Sequence, residues 1–299
     1  MELEWVQAFL AVAETGSFSA AAEGLFLSQS VVSKQVQRLE RHLNVSLFDR
    51  TRRKVELTDA GRRAYPEAQN LVLQYRRLEQ AAHPGGTLRL AMLPVADCYG
   101  FPQMLTEFSV VCPEIQLLVD EQENAAMPAL LQAGRCDGAF CRLLGHAAAP
   151  SQQLLCEDEM ALLLPAALPC PAAQRVPLAL FSGENFLLLG AGTGLLEASL
   201  SLCSQAGFSP QVRYTGSSAG NIARMVRSGA GVALLARRVA ESCLGPGLKL
   251  AVPEPNCKSL LVFCPSRAGL QNPAMPRLLE HLARTACPAE GPRAAPAPQ

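Results

Sequence analysis

The 299-residue chain has no net charge, with 26 basic residues against 26 acidic ones, so no global basic field advertises a nucleic-acid partner. It has no uninterrupted apolar run of about 18 residues, and no span of a bilayer is expected. Its first residues, MELEWVQAFLAVAE, are acidic and amphipathic, unlike a secretory leader. There is no CxxC pair, and none of the eleven cysteines precedes Cys98. The four histidines are scattered, which gives a Cys/His metal site no local support. Without an export signal the cysteines read as buried free thiols in a reducing cytosol. No His, Ser and Asp cluster at nucleophile spacing, so catalysis has no evident centre and no cofactor is implied. Hydrophobic content of 49% with 17% charged residues excludes wholesale disorder and leaves room for two or three packed domains.

What is present begins with Leu3, Val6, Phe9, Leu10 and Ala13, which recur at helical spacing until Gly16. A second helix from about Phe18 and a third from about Gln29 to His42 follow, joined by an apolar turn at Phe26 and Leu27. Ala21 and Ala22 allow a close crossing, and Ser28 can cap the third helix by accepting a first-turn N–H. Val32, Val36 and Leu39 form that helix's inward stripe, while Gln29, Ser30, Ser33, Lys34 and Gln37 face outward. A packing helix needs no such polar edge; a helix lying in a major groove does, because Gln can pair with adenine and Ser and Lys can donate to bases or phosphates.

VSLFDRTRRKVELT then reads as two short strands around a basic turn carrying Arg50, Arg52, Arg53 and Lys54, placed for phosphates or a minor groove. From Ser28 to Arg63 nine basic residues face four acids, a local charge of +5. A long helix from Thr58 sets Ala64, Ala68, Leu71, Tyr75 and Leu78 in an a/d seam, the pattern of helices that pair, with a kink expected near Pro66. His83-Pro84-Gly85-Gly86 ends it. Strands then alternate with helices in two similar units, with apolar MALLLP and SLLVFCP between and after them. That grammar predicts an α/β fold of two lobes joined by two crossing strands. Gly190–Gly194, GAGTG, is a poor dinucleotide signature, since Leu195 stands where a third glycine belongs.

The N-terminal segment resembles the DNA-binding domain of LysR-type transcriptional regulators: AETGSF, the alanine pair, LSQ, Ser33, LE, LFDRT and LTDAG occur in order at that family's spacing. The resemblance covers nearly the whole chain. It implies a winged helix-turn-helix over residues 1–58 (motif about 18–37) and a dimerising linker helix over 59–86. It implies a bilobed effector domain over 87–288, like periplasmic solute-binding proteins, with lobe I about 87–163 and 265–288 and lobe II about 164–264. Residues 289–299 are Pro/Ala-rich and expected to be disordered. Implied partners are a double-stranded operator, further copies of the chain as dimer or tetramer, and a small-molecule effector, with RNA polymerase left open and no membrane. Matched by motif position, Gln29, Ser33 and Lys34 touch the major groove and Arg52 or Arg53 the minor groove. Ser30 stands where the family usually has proline, and Lys34 where arginine is frequent; lysine offers a point charge in place of a fork.

In such bilobed domains strand ends and helix N-termini line the cleft. By position these are Pro94, Val95, Ala96 and Asp97, then Arg142, then Gly192, Thr193 and Gly194, with Ser217 and Ser218. Asp97 stands near where the family carries a hydroxyl residue that helps hold a carboxylate; it either caps its helix or faces the cleft and disfavours a carboxylate ligand. Two readings of other classes stand beside the ligand-responsive one. Some relatives use a cysteine pair in the second-lobe helix as a thiol switch, but here Cys203 faces TGLLEASLS, which holds no cysteine, so that pairing cannot form. An enzyme or solute-binding protein would leave the first eighty residues unexplained.

Overall fold

The computed structural model describes residues 1–25, 27–49, 55–82, 85–173 and 175–286. The predicted wing residues Arg50, Arg52, Arg53 and Lys54 lie outside them, as do Phe26, His83, Pro84 and the tail. The chain divides into an N-terminal unit ending at Thr87 and a larger unit from Leu88.

In the first unit, α1 (Leu3–Thr15), α2 (Phe18–Leu25) and α3 (Gln29–Leu43) precede an antiparallel pair, β1 (Phe48–Asp49) and β2 (Glu56–Leu57), and the long α4 (Asp59–Ala82). Gly16 closes α1 at φ 63°, its N–H bonding Val12 O, a left-handed cap that suits glycine. Val6, Phe9 and Val12 of α1, Ala21 and Ala22 of α2, and Val32, Val36 and Leu39 of α3 share one core with Leu47 and Phe48. Phe48 is its hub, with the Phe9 ring at 5.5 Å and the Phe18 ring at 5.8 Å. Gly61 lets α4 start against that core, since a Cβ there would lie 2.2 Å from Leu47 O. Thr58 caps the start, its Oγ1 accepting the Gly61 N–H at 3.0 Å and donating to Ser46 O at 2.7 Å. The helix runs on through Pro66.

The second unit runs β3 (Thr87–Met92), α5 (Phe101–Val111), β4 (Gln116–Glu121), α6 (Met127–Gln132), β5 (Gly138–Leu144) and the long β6 (Gln153–Pro165). It continues through β7 (Val176–Pro177), β8 (Asn185–Leu189), α7 (Leu195–Gln205), β9 (Gln211–Gly216), α8 (Ala219–Arg227), β10 (Ala233–Ala236) and α9 (Arg237–Ser242). Last come β11 (Leu248–Ala251), β12 (Pro253–Glu254), β13 (Lys258–Pro265) and α10 (Met275–Thr285). One sheet has the order β10-β6-β13-β5-β3-β4, with β11 also on β6; β8 and β9 pair separately and parallel.

Two cores result, as the repeated α/β grammar predicts. Strand β6 joins them, with Leu155 and Cys156 in the first and Met160–Leu164 in the second. The expected lobe limits shift at both crossings. Leu260–Cys264 pack in the first core, not the second, because β13 pairs with β5 from Ser259 to Pro265. Met160–Leu163 pack in the second, because β10 pairs with that end of β6.

Candidate nucleic-acid interface and effector cleft

Helix α3 is built as its sequence predicts. Ser28 Oγ accepts the Val31 N–H, and Asn44 ends the helix in a left-handed cap at φ 53°. Val32, Val36 and Leu39 are buried, while Gln29, Ser30, Lys34 and Gln37 are exposed and Ser33 is half-buried. The exposed edge is partly pre-oriented: Ser19 Oγ donates to Gln29 Oε1 at 3.2 Å, and the Ser28 and Ser30 hydroxyls lie 2.9 Å apart. At the far end of the helix Glu40 Oε1 accepts the Leu47 N–H at 2.8 Å and the Phe48 N–H at 3.3 Å. That carboxylate ties the first wing strand to α3, a contact the sequence reading missed. Its signal was the Glu of the LE motif itself.

The α4 seam divides in two. Ala64 and Ala68 are half-buried and pack against the unit's own core together with buried Val72. The reason is geometric: Gly61 brings the first turns of α4 against Leu47, which turns these alanines inward. Leu71, Tyr75 and Leu78 are exposed at 38%, 43% and 69%.

In the second unit, Gly192, Thr193 and Gly194 form a turn on the first lobe. A Cβ on Gly192 would lie 3.3 Å from Glu123 Cγ, and one on Gly194 would lie 3.6 Å from Leu144 Cδ1. Asn124 completes that floor by accepting the Arg142 N–H at 2.8 Å and donating to Arg142 O at 3.1 Å. Thr193 Oγ1 accepts the Leu195 N–H at the start of α7, and Ser218 Oγ accepts the Asn221 N–H at the start of α8. Ser217 is exposed. Of the 94–97 run, Pro94 and Asp97 are exposed, Val95 is half-buried and Ala96 is buried. The short helix there, Ala96–Tyr99, has Val95 at its N-cap with no side-chain cap, so Asp97 is not the cap. This turn meets α9, Cys98 Sγ donating to Ser242 Oγ at 3.4 Å.

The Arg142 side chain is committed to partners within the protein. It is 4% exposed, because strand alternation on β5 turns it to the face that carries Ser259 of β13. Its guanidinium donates to Ser259 Oγ at 2.6 Å and to the Tyr99 hydroxyl at 2.8 Å. Tyr99 in turn donates to Asp158 Oδ2 at 2.7 Å, and its ring centroid lies 5.2 Å from Arg142 Cζ and 5.9 Å from Arg238 Cζ. Burial pushes the Tyr99 phenol far up, so it stays a donor to Asp158. Beside this chain a cavity of about 600 Å³ is walled by Glu157, Asp158, Glu159, Arg175, Arg237 and Asn256 among others. Glu159 holds both Arg175, at 2.9 Å, and Arg237, at 3.0 Å, so its charges largely satisfy one another. Only the Glu-Asp-Glu run before MALLLP hinted at it in the sequence.

Among the described residues no helix is long and apolar enough to cross a membrane. A helix-turn-helix with an anchored wing, followed by a two-core α/β unit, is the architecture of a DNA-binding regulator with a separate ligand-binding module. Residues 3–62 match the family described as bacterial regulatory helix-turn-helix protein, lysR family, and residues 81–287 match the LysR substrate binding domain. The chain belongs to the LysR family. It is 30% identical over 270 residues, 86% of each chain, to a probable hydrogen peroxide-inducible genes activator of Mycobacterium avium. Its fold is similar to a full-length OxyR variant from Pseudomonas aeruginosa, with TM-score 0.58 and 24% identity over 96% of this chain and 94% of that one. It is also similar to HinK, a LysR family transcriptional regulator of the same organism, with TM-score 0.55 and 26% identity over 95% and 99% of the two chains.

Proposed function

We propose that residues 1–58 hold a DNA operator, with α3 in the major groove and Gln29, Ser30, Ser33 and Lys34 at base edges or phosphates. Arg50, Arg52, Arg53 and Lys54 on the wing serve phosphates or the minor groove. Residues 59–86 pair two copies through Leu71, Tyr75 and Leu78. Residues 87–288 bind a small-molecule effector between the lobes, and its binding alters operator contacts. The protein acts in the cytosol and carries no catalytic centre. The observation that carries this reading is the exposed polar edge of α3 above its buried Val32–Val36–Leu39 stripe, within a segment of charge +5. Selection of binding sites from random duplexes by the full chain tests it: one recurrent two-half motif supports the reading, and no enriched sequence overturns it.

For the effector we infer contacts from Pro94, Val95, Asp97, Gly192, Thr193, Gly194, Ser217 and Ser218 around the buried Ala96. Asp97 is exposed and uncommitted to a cap, so it supports a neutral or zwitterionic ligand over a simple dicarboxylate. Two like charges about 5 Å apart at an effective dielectric near 20 cost roughly 3 kcal/mol. Calorimetry of the full chain against dicarboxylates, amino acids and neutral aromatics reads this. Tight dicarboxylate binding, unchanged in Asp97→Ser, contradicts it. A thiol switch centred on Cys203 has little support, since that residue is buried in α7 and burial pushes its thiol up to about 11.

A further inference from the structure

Gln29 is the first residue of α3, and Ser28 fixes its backbone by capping that helix. The side chain is a different matter, because it is exposed and has several rotatable bonds. Its amide carries both donors and an acceptor, so it can tell base edges apart only while its orientation is held. Lys34, on the next turn, is donor-only and discriminates less.

Across the turn, Ser19 Oγ of α2 donates to Gln29 Oε1 at 3.2 Å. The serine is itself firmly carried. Ser17 Oγ accepts the Ala20 N–H at 3.3 Å at the start of α2, and the neighbouring Phe18 ring packs 5.8 Å from Phe48 in the core. Hydroxyl and amide therefore hang from two backbones that share one core through Ala21, Ala22, Val32 and Val36. Both side chains are exposed, so water competes for the bond and it adds little to the stability of the free protein. In a groove that excludes water the same bond strengthens, and the amide arrives already ordered.

We propose that Ser19 is a positioning residue for Gln29, a role that rests on α3 lying in the major groove. Ser19 holds the amide in one orientation at the base edge, so discrimination between base pairs depends on a hydroxyl outside the reading helix. Ser19 touches no base. Without it, Gln29 turns to whichever neighbouring edge will pair with it, and a wrong base is penalised less. Neither side chain is charged, so phosphate contacts and the ions they release are unaffected.

The test compares wild type, Ser19→Ala, Ser19→Thr, Gln29→Ala and the double alanine variant by gel-shift titration. The probes are a duplex selected by the wild-type full chain from a random pool, each of its single-base-pair variants, and an unrelated duplex. Gln29→Ala marks the base pair at which discrimination is lost. Ser19→Ala should lower discrimination at that same pair roughly fivefold. Binding to the unrelated duplex, its salt dependence and thermal melting should not change. Ser19→Thr keeps the hydroxyl and should restore discrimination, and Ser19→Ala should add nothing in the Gln29→Ala background. If Gln29→Ala relaxes one base pair and Ser19→Ala leaves it as in wild type, the role of Ser19 falls while α3 stands as the reading helix. If neither variant relaxes any base pair, both fall. Equal weakening on every duplex, or a lower melting temperature, would make Ser19 a structural residue and overturn the proposal.

Discussion

The Arg142 guanidinium donates to the Tyr99 hydroxyl at 2.8 Å, and Tyr99 passes a hydrogen bond on to Asp158 at 2.7 Å. A buried cation and a carboxylate are thereby joined through one neutral hydroxyl. Such an arrangement is costly to break from the middle, because both ends then lose a partner together. Tyr99→Phe should destabilise the second unit by about 1–3 kcal/mol, read by calorimetric unfolding. A double cycle with Asp158→Asn should show coupling, the pair costing less than the two single changes combined. Additive effects would mean that the hydroxyl relays nothing.

Tyr65 gives the first unit a pH signature. Its hydroxyl donates to Glu14 at 3.2 Å, and burial with the Glu14 charge pushes its phenol up to about 12 from an ordinary 10. Between those values the unfolded chain releases this proton and the folded chain keeps it. The contribution is therefore full below pH 10 and is lost as pH rises towards 12. Urea titrations of the full chain from pH 9 to 12 should show a steeper fall for wild type than for Tyr65→Phe. Parallel curves would remove Tyr65 from the account.

The exposed part of α4 makes a separate claim. Leu78→Lys and Leu71→Lys should yield monomers by sedimentation at micromolar concentration, with melting little changed, since neither side chain supports the chain's own core. Val72→Ala should do the reverse, lowering stability by about 1–3 kcal/mol while leaving the assembly intact. A monomeric wild type would contradict the pairing.

Much of this was legible where the signal is local. The Ser28 cap, the Val32–Val36–Leu39 stripe and the two wing strands follow from spacings within one or two turns. The α4 seam was legible as apolar but not as to its partner: Ala64 and Leu71 look alike in a heptad, and only the approach of Leu47 at Gly61 turns one inward. The partners of Arg142 were hidden for a different reason. Its partners Tyr99 and Ser259 stand 43 and 117 residues away, and strand alternation hides which face a charged residue takes.

The claim that most depends on α3 is sequence-specific reading by Gln29 and Lys34. Its direct measurement is a gel-shift titration of wild type, Gln29→Ala and Lys34→Ala on a selected operator and on an unrelated duplex, with Arg52→Ala plus Arg53→Ala alongside. Each single variant should lose about 1–3 kcal/mol on the operator, near tenfold or more in Kd, while the double wing variant weakens both duplexes and flattens the salt dependence. Unchanged operator affinity in both Gln29→Ala and Lys34→Ala would contradict the assignment of α3 as the reading helix.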